Sequence, residues 1–376
     1  MSIALEPIPL DAPVRGRSLW QDAWARLKRN KAAVGSAAIL LVMALASIVG
    51  PWLWPHPYDR VYPQYVRMPA SLEPYPREER VLPELEQTLK RGRVDVIAVE
   101  MTDSGVRAEI ASERGIDPRI TRYVARNDLF SNPRIAGTSA DGKSAVIEAD
   151  VARLRFIAGT DANGRDLFAR ILIAIRISLT IGLLATFVAL LIGVAYGATA
   201  GFLGGRVDNV MMRVVDILYS LPFIFFVILL VVFFGRNFVL MFIAVGAIEW
   251  LDMARIVRGQ TLSLKRREFV QAAEALGVSD RAIVLRHIIP NTLGPVAVYM
   301  TLLVPKVILL ESFLSFLGLG VQEPLTSLGV LISEGARNIQ GARWLLLYPS
   351  VALALILFAL NFIGDGLRDA LDPKDP

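Results

Sequence analysis

The chain has 376 residues, 54% of them hydrophobic and 20% charged, with a formal charge of +5 and a mean hydropathy of +0.49. Soluble domains average about 45–50% apolar and about a quarter charged residues, so composition excludes a disordered chain and argues against an ordinary soluble enzyme. There are no cysteines and only two histidines, His56 and His287, which removes disulfides, thiolate chemistry and Cys-ligated metals and leaves little for a His-based metal centre.

In chain order, the first apolar run spans Ala32–Trp54 behind a basic flank of Arg15, Arg17, Arg26, Lys28, Arg29 and Lys31. Ala44-Leu45-Ala46 has the small-x-small form of a cleavage site, but apolar sequence continues to Trp54, so the run reads as a span. Residues 55–157 are charged and open with a cluster of prolines. Glu79–Lys90 reads as a helix. Val94–Met101 and Val106–Ala111 read as strands joined through Thr102-Asp103-Ser104-Gly105, and Val151–Ile157 reads as another strand. Within this block Gly137 to Ser144 fits G-x-x-x-x-G-K-[ST] letter for letter. The segment before it is short and proline-broken, so a chance match in a turn is expected rather than a phosphate cradle.

Further apolar runs occupy Ile177–Leu203, Val214–Phe234, Phe238–Met253, Thr292–Leu319 and Trp344–Ile363, for six expected spanning helices in all. Gly193, Gly197, Gly201 and Gly205 recur every four residues and would form one flat stripe for close helix approach. That stripe packs either on a neighbouring span or on a partner subunit. Lys306 and Glu311 are charges inside the fifth run, five apart and pointing in different directions, so each should face a neighbouring span or a wet cavity. Lys306 is a candidate for the translocation path and Glu311 for a structural partner. Glu249 and Asp252, with Arg255 a further three residues on, read as a solvated cluster near the membrane boundary.

Between the fourth and fifth runs, Arg255 to Asn291 is basic, amphipathic and too polar to span. A helix over Arg267–Leu276 should break at Gly277, resume after Ser279 as N-cap, and end at Pro290. Lysine and arginine then orient the whole: seventeen flank one side and three the short loops opposite. Both termini and the 255–291 loop therefore belong in the cytoplasm, and the 55–157 block outside.

Gln271-Ala272-Ala273, Gly277 and Ile289-Pro290-Asn291 resemble the EAA loop of permease subunits of ATP-binding cassette importers. Gly159-Thr160-Asp161-Ala162-Asn163-Gly164-Arg165-Asp166 with Arg176-Ile177-Ser178-Leu179 is similar to the start of the second span in the C-type permease of oligopeptide and dipeptide systems. Asp216 to Pro222, Glu311 to Pro324, Gly364 to Asp369 and Leu371-Asp372-Pro373 resemble further stretches of that family. The resemblance is loose over residues 25–54 and close over 158–374. Gln271 replaces the loop's glutamate, His287 stands where isoleucine is usual, and Ala174 where glycine is common. The 55–157 block exceeds that of typical members, so no role transfers to it.

The resemblance implies an all-α polytopic fold of the type I importer permease with a small external α/β insertion. Residues 1–31 would be cytoplasmic, 32–54 the first span, 55–157 the insertion, and 158–376 the permease core with its coupling loop at 255–291. It also implies a path for peptides across a bacterial inner membrane, in membrane lipid and with no nucleic acid involved. The implied partners are a second homologous permease, two cytoplasmic ATPase subunits that bind ATP and magnesium, and a periplasmic or lipid-anchored binding protein. No catalytic residue, cofactor or metal is expected in the chain itself. An ion-coupled secondary transporter is the alternative; it would need carboxylates grouped mid-membrane and related halves.

Overall fold

A computed structural model of the chain describes residues 19–102, 105–235 and 238–371. Arg15, Arg17, Asp103, Ser104, Asp372 and Pro373, named above, lie outside the described residues. Helix α1 (Leu19–Arg29) leads into α2 (Lys31–Leu53). Asn30 separates them and caps α2, its side chain accepting from the Ala33 N–H at 3.1 Å.

Residues 55–157 fold into an α/β unit: α3 (Glu78–Arg91), β1 (Asp95–Met101), β2 (Gly105–Ala111), α4 (Ile120–Ala125), β3 (Phe130–Thr138) and β4 (Ser144–Val151). The sheet is antiparallel, in the order β1-β2-β4-β3. Along β2, Val106, Ala108 and Ile110 are buried while Arg107 and Glu109 are exposed, the period-2 alternation of a sheet with one wet face. The inner face packs on Leu85 and Leu89 of α3 and Val124 of α4. Across the outer face Glu148 bridges Arg107 at 2.8 Å and Arg134 at 2.9 Å. The segment matching a phosphate loop is the β3–β4 hairpin: the Ser144 N–H donates to Ser139 Oγ at 3.0 Å, and no helix follows it. The strand expected over Val151–Ile157 stops at Val151. Beyond it the chain makes a single bridge, Leu154 to Tyr75, as it leaves the sheet for the membrane helices.

The remainder is helical. Helix α5 (Leu167–Leu203) is followed by α6 (Gly205–Ser220), α7 (Phe223–Phe234), α8 (Phe238–Leu264), α9 (Glu268–Ala275), α10 (Asp280–Ile283), α11 (Ile289–Phe316), α12 (Leu328–Arg337) and α13 (Trp344–Leu371). Among the described residues four helices are long and apolar enough to cross a bilayer: α2, α5, α13 and the continuous stretch Asp280–Phe316. A fifth arises if the bent pair α6–α7 counts as one span. Helix α8 carries Glu249, Asp252, Arg255 and Arg258 within its 27 residues, and so does not reach that apolarity.

Two boundaries differ from expectation for reasons in the backbone. The run Val214–Phe234 is not one helix: Leu221 takes extended geometry (φ −75°, ψ 129°) before Pro222, and the helices on either side meet at 87°. Pro290, expected to end a helix, lies inside one. A π turn over Val284–Ile288 lets the Ile289 N–H bond to the Val284 carbonyl, so the missing proton of Pro290 falls in a turn that is already widened. Ser279 sits at the N-cap of α10, although its side chain makes no capping hydrogen bond.

Helix α5 is the central post, and its largest contact is with α8. A Cβ on Gly193 would lie 2.5 Å from the Met253 side chain, one on Gly197 2.3 Å from the Ala254 carbonyl oxygen, and one on Gly201 2.9 Å from that of Arg258. Only hydrogen fits there, so the backbones of α5 and α8 meet directly. Gly205 does not belong to this stripe. It lies past the end of α5 as the first residue of α6, at φ +55°, with open space where its Cβ would be.

Candidate functional site

Three constellations carry the polar chemistry of the helical part. The first is a cavity of about 450 Å³ at the α6–α7 break, walled also by α8 and α11. Lys306 of α11 reaches across to α8 and donates to Glu249 at 2.7 Å and Asp252 at 3.2 Å. Lys306 thus faces both a neighbouring helix and a cavity. Glu249 is not solvated as its spacing suggested: it is 4% exposed, folded under the lysine. Asp252 does not pair with Arg255. That guanidinium turns instead to Asp216 of α6 at 2.9 Å and lies 4.5 Å over the Tyr219 ring. Two apolar helices that each carry a charge of opposite sign are a legible signal, and matching charges between runs rather than within them would have found this pair.

The second constellation surrounds Glu311, fully buried on α11. It accepts from Ser178 of α5 at 3.2 Å and from Ser315 at 2.7 Å. Ser178 Oγ also accepts from the Leu328 N–H at 3.2 Å, so one carboxyl group and its hydroxyls join α5, α11 and the start of α12.

The third is the G-T-D-x-x-G-R-D stretch at the head of α5, matched in the sequence without a role. Asp166 caps α5 through the Phe168 and Ala169 N–H groups and accepts from Trp54 Nε1 at 2.9 Å. His56 Nδ1 lies 2.7 Å from the same carboxylate. Asp161 accepts from Arg165 at 2.8 Å and Arg170 at 2.5 Å. Arg170, 1% exposed, continues to Glu334 of α12, and Arg165 to Glu323. Thr160 donates to the Tyr65 carbonyl and accepts from the Met68 N–H, fastening the α/β unit to the same junction. In that unit burial raises the Tyr65 phenol above its ordinary range, with the Asp128 charge adding to it.

The loop between α8 and α11 holds the remaining residues singled out in the sequence. Helix α9 ends in a Schellman turn: the Gly277 N–H donates to the Glu274 carbonyl and that of Val278 to Ala273. Gly277 supplies the required left-handed residue at φ +74°. Ala273 and Val270 point inward with Ile283 and Ile288 onto Phe202 at the end of α5. Gln271, Ala272, Leu276 and Pro290 are exposed, and Ile289 is half-buried. Lys265 donates to the Phe202 carbonyl at 2.6 Å and closes the C-terminus of α5, where a cation is favoured. Arg258 holds Asp208 of α6 through two contacts of 2.5 and 2.6 Å. Among the described residues no group of three or more metal-ligating side chains gathers.

Residues 189–374 match the family described as "binding-protein-dependent transport system inner membrane component", and residues 18–74 match "N-terminal TM domain of oligopeptide transport permease C". The chain is 44% identical over 362 residues to the oligopeptide transport system permease protein OppC of Haemophilus influenzae, covering 96% of this chain and 91% of that one. It is 35% identical to the dipeptide transport system permease protein DppC of Bacillus subtilis, covering 95% of this chain and 86% of the relative. Among solved structures, an inward-facing MetNI methionine transporter matches 55% of this chain and 98% of its own at 18% identity, with a TM-score of 0.45.

Proposed function

The chain belongs to the family of binding-protein-dependent transport inner membrane components, and on that premise we propose that it forms one half of a path for short peptides across a bacterial inner membrane. The observation that carries this reading is the identity of 44% over nearly the full length of a relative named for oligopeptide transport. A second, homologous permease supplies the other half of the path. The chain crosses six times, α6–α7 and α8 included, with both termini and α9 in the cytoplasm and the α/β unit outside. This arrangement is supported by the distribution of lysine and arginine.

Energy enters through two ATPase subunits, which bind ATP and magnesium; the permease itself carries out no chemistry. Their docking surface is the exposed tip Gln271, Ala272, Leu276 and Gly277, while Ala273 and Ile289 seat that tip on the α5 end. Pro290, the second residue of α11, follows the π turn that joins that tip to the helix. A helix that turns rigidly into α11 transmits ATPase closure to the membrane. Nucleotide drives transport only by favouring one of the two states over the other. Lys306 and the α6–α7 break line the path. An external binding protein delivers the solute.

The test is uptake of radiolabelled tripeptides into proteoliposomes holding both permeases and both ATPases, with binding protein outside and ATP inside. ATP-dependent accumulation is expected. Accumulation driven by an ion gradient without the ATPases would instead establish the ion-coupled carrier.

A further inference from the structure

We propose that the cavity at the α6–α7 break is a subsite for the free amino terminus of the transported peptide, with Asp252 receiving its ammonium group. The inference rests on the peptide reading above and names the part of the substrate that this chain recognises.

Charge comes first. Two carboxylates, Glu249 and Asp252, face a single ammonium, that of Lys306. Glu249 is the deeper of the two and takes the shorter contact. Asp252 takes the longer one, at 3.2 Å, and keeps 29% of its side chain exposed. The other cation within one turn, Arg255, is held by Asp216 and the Tyr219 ring. A carboxylate offers about four acceptor sites, so Asp252 retains acceptor capacity toward the cavity. A ligand ammonium can take Asp252 while Lys306 stays on Glu249, and no buried charge is then left unpaired. A ligand carboxylate would meet two like charges for one opposite one.

Shape agrees. Most of the remaining wall is apolar, from Leu221, Pro222, Phe226 and Leu310, with Tyr219 and Ser220 beside them, and the volume of about 450 Å³ is that of a small-ligand site. An amino-terminal residue would place its ammonium at Asp252 and its side chain against that wall. Leu221 and Pro222 form the bend itself, so the occupant touches the one place where this helix pair changes direction.

The experiment uses the whole transporter in nanodiscs without binding protein. Ligand-observed NMR measures the affinity for trialanine and for N-acetyl-trialanine, and ATP-driven uptake of trialanine by the wild-type transporter is measured in parallel in proteoliposomes with binding protein outside and ATP inside. The expected result is a preference of wild type for the free amine that falls roughly tenfold in Asp252→Asn, about 1.4 kcal/mol. Asp252→Glu, which keeps the charge, recovers most of the preference. If Asp252→Asn weakens both ligands equally, or changes neither, the subsite is refuted while peptide transport stands. If the wild-type transporter imports no peptide at all, the functional reading itself has failed, and this inference with it.

Discussion

Asp161 accepts from two guanidinium groups, and the more buried of them, Arg170, is shared with Glu334. Removing one partner from a buried ionic network costs about 3–5 kcal/mol, because the groups left behind remain desolvated. Arg170→Met should therefore lower the thermal unfolding temperature of the purified protein strongly. Glu323→Gln, which alters an exposed carboxylate, should cost about 1 kcal/mol or less. Equal effects of the two would show that the junction is not the fastening it resembles. Glu311 makes a second contrast. Glu311→Gln keeps one oxygen to accept from a hydroxyl and turns an amide N–H toward the other, whose own oxygen can accept it, and should unfold close to wild type. Glu311→Leu leaves those hydroxyls orphaned in a dry interior, at about 1–3 kcal/mol. A melt in which Gln is as damaging as Leu would mean that the carboxyl group does more than accept hydroxyl protons.

Among elements, the α5–α8 pair is closed by glycine. The Cβ of Gly197→Ala would collide with the backbone of Ala254, so the two helices must part. Gly294→Ala, with open space around it, should be neutral or slightly stabilising as helix propensity improves by about 1 kcal/mol. Comparative melting of the two variants checks this, and similar behaviour would deny the close approach. Gly277 differs again. Its space is open, so Gly277→Val is opposed only by its left-handed backbone, at about 1–2 kcal/mol. The Schellman turn should open while the helices around it persist. In the reconstituted transporter, ATP hydrolysis should then continue with uptake reduced several-fold; coupling at the wild-type level would remove the turn from the docking surface. These elements also show what a sequence can disclose. Helices α5, α11 and α13 are legible because bilayer thickness demands long apolar runs. A kink at Pro222 is legible from the missing donor, but the full break into two helices meeting at 87° is not. The passage of helix through Pro290 is not, because only the π turn behind it makes room. The pairing of Lys306 with α8 is legible only when charges are matched between runs, because spacing within one run does not carry it. Gly205 shows the converse error: periodicity extends past the point where the helix ends.

For the whole molecule, the lack of cysteine makes topology directly measurable. Leu276→Cys at the tip after α9 and Glu109→Cys on the wet face of the sheet are both exposed. In intact spheroplasts a membrane-impermeant maleimide should label the second and not the first, and inverted vesicles should reverse the pattern. The same side for both would overturn the six-crossing arrangement. In the α/β unit the helix and the first hairpin were legible, the latter from the alternation along β2, whereas β3 and β4 were not, and the strand expected over Val151–Ile157 ends where it was to begin. The unit's attachment was not legible either, because Thr160, Asp161 and Gly164 reach Met68, Arg67 and Tyr62 through backbone contacts that no spacing rule encodes.

The stretch from Asp280 to Phe316 is unbroken for 37 residues, which at about 1.5 Å each is roughly 55 Å. The hydrocarbon layer is only about 30 Å deep, so this helix is longer than the bilayer is thick, and Pro295 and Pro305 each remove one backbone hydrogen bond along it. Swinging such a spar by about ten degrees at its lower end carries the upper end sideways by about 10 Å, more than the width of a peptide backbone. In a helix that turned as one body, a modest stroke at the foot would become a wide opening at the head, and each proline that let the middle bend would shorten that stroke.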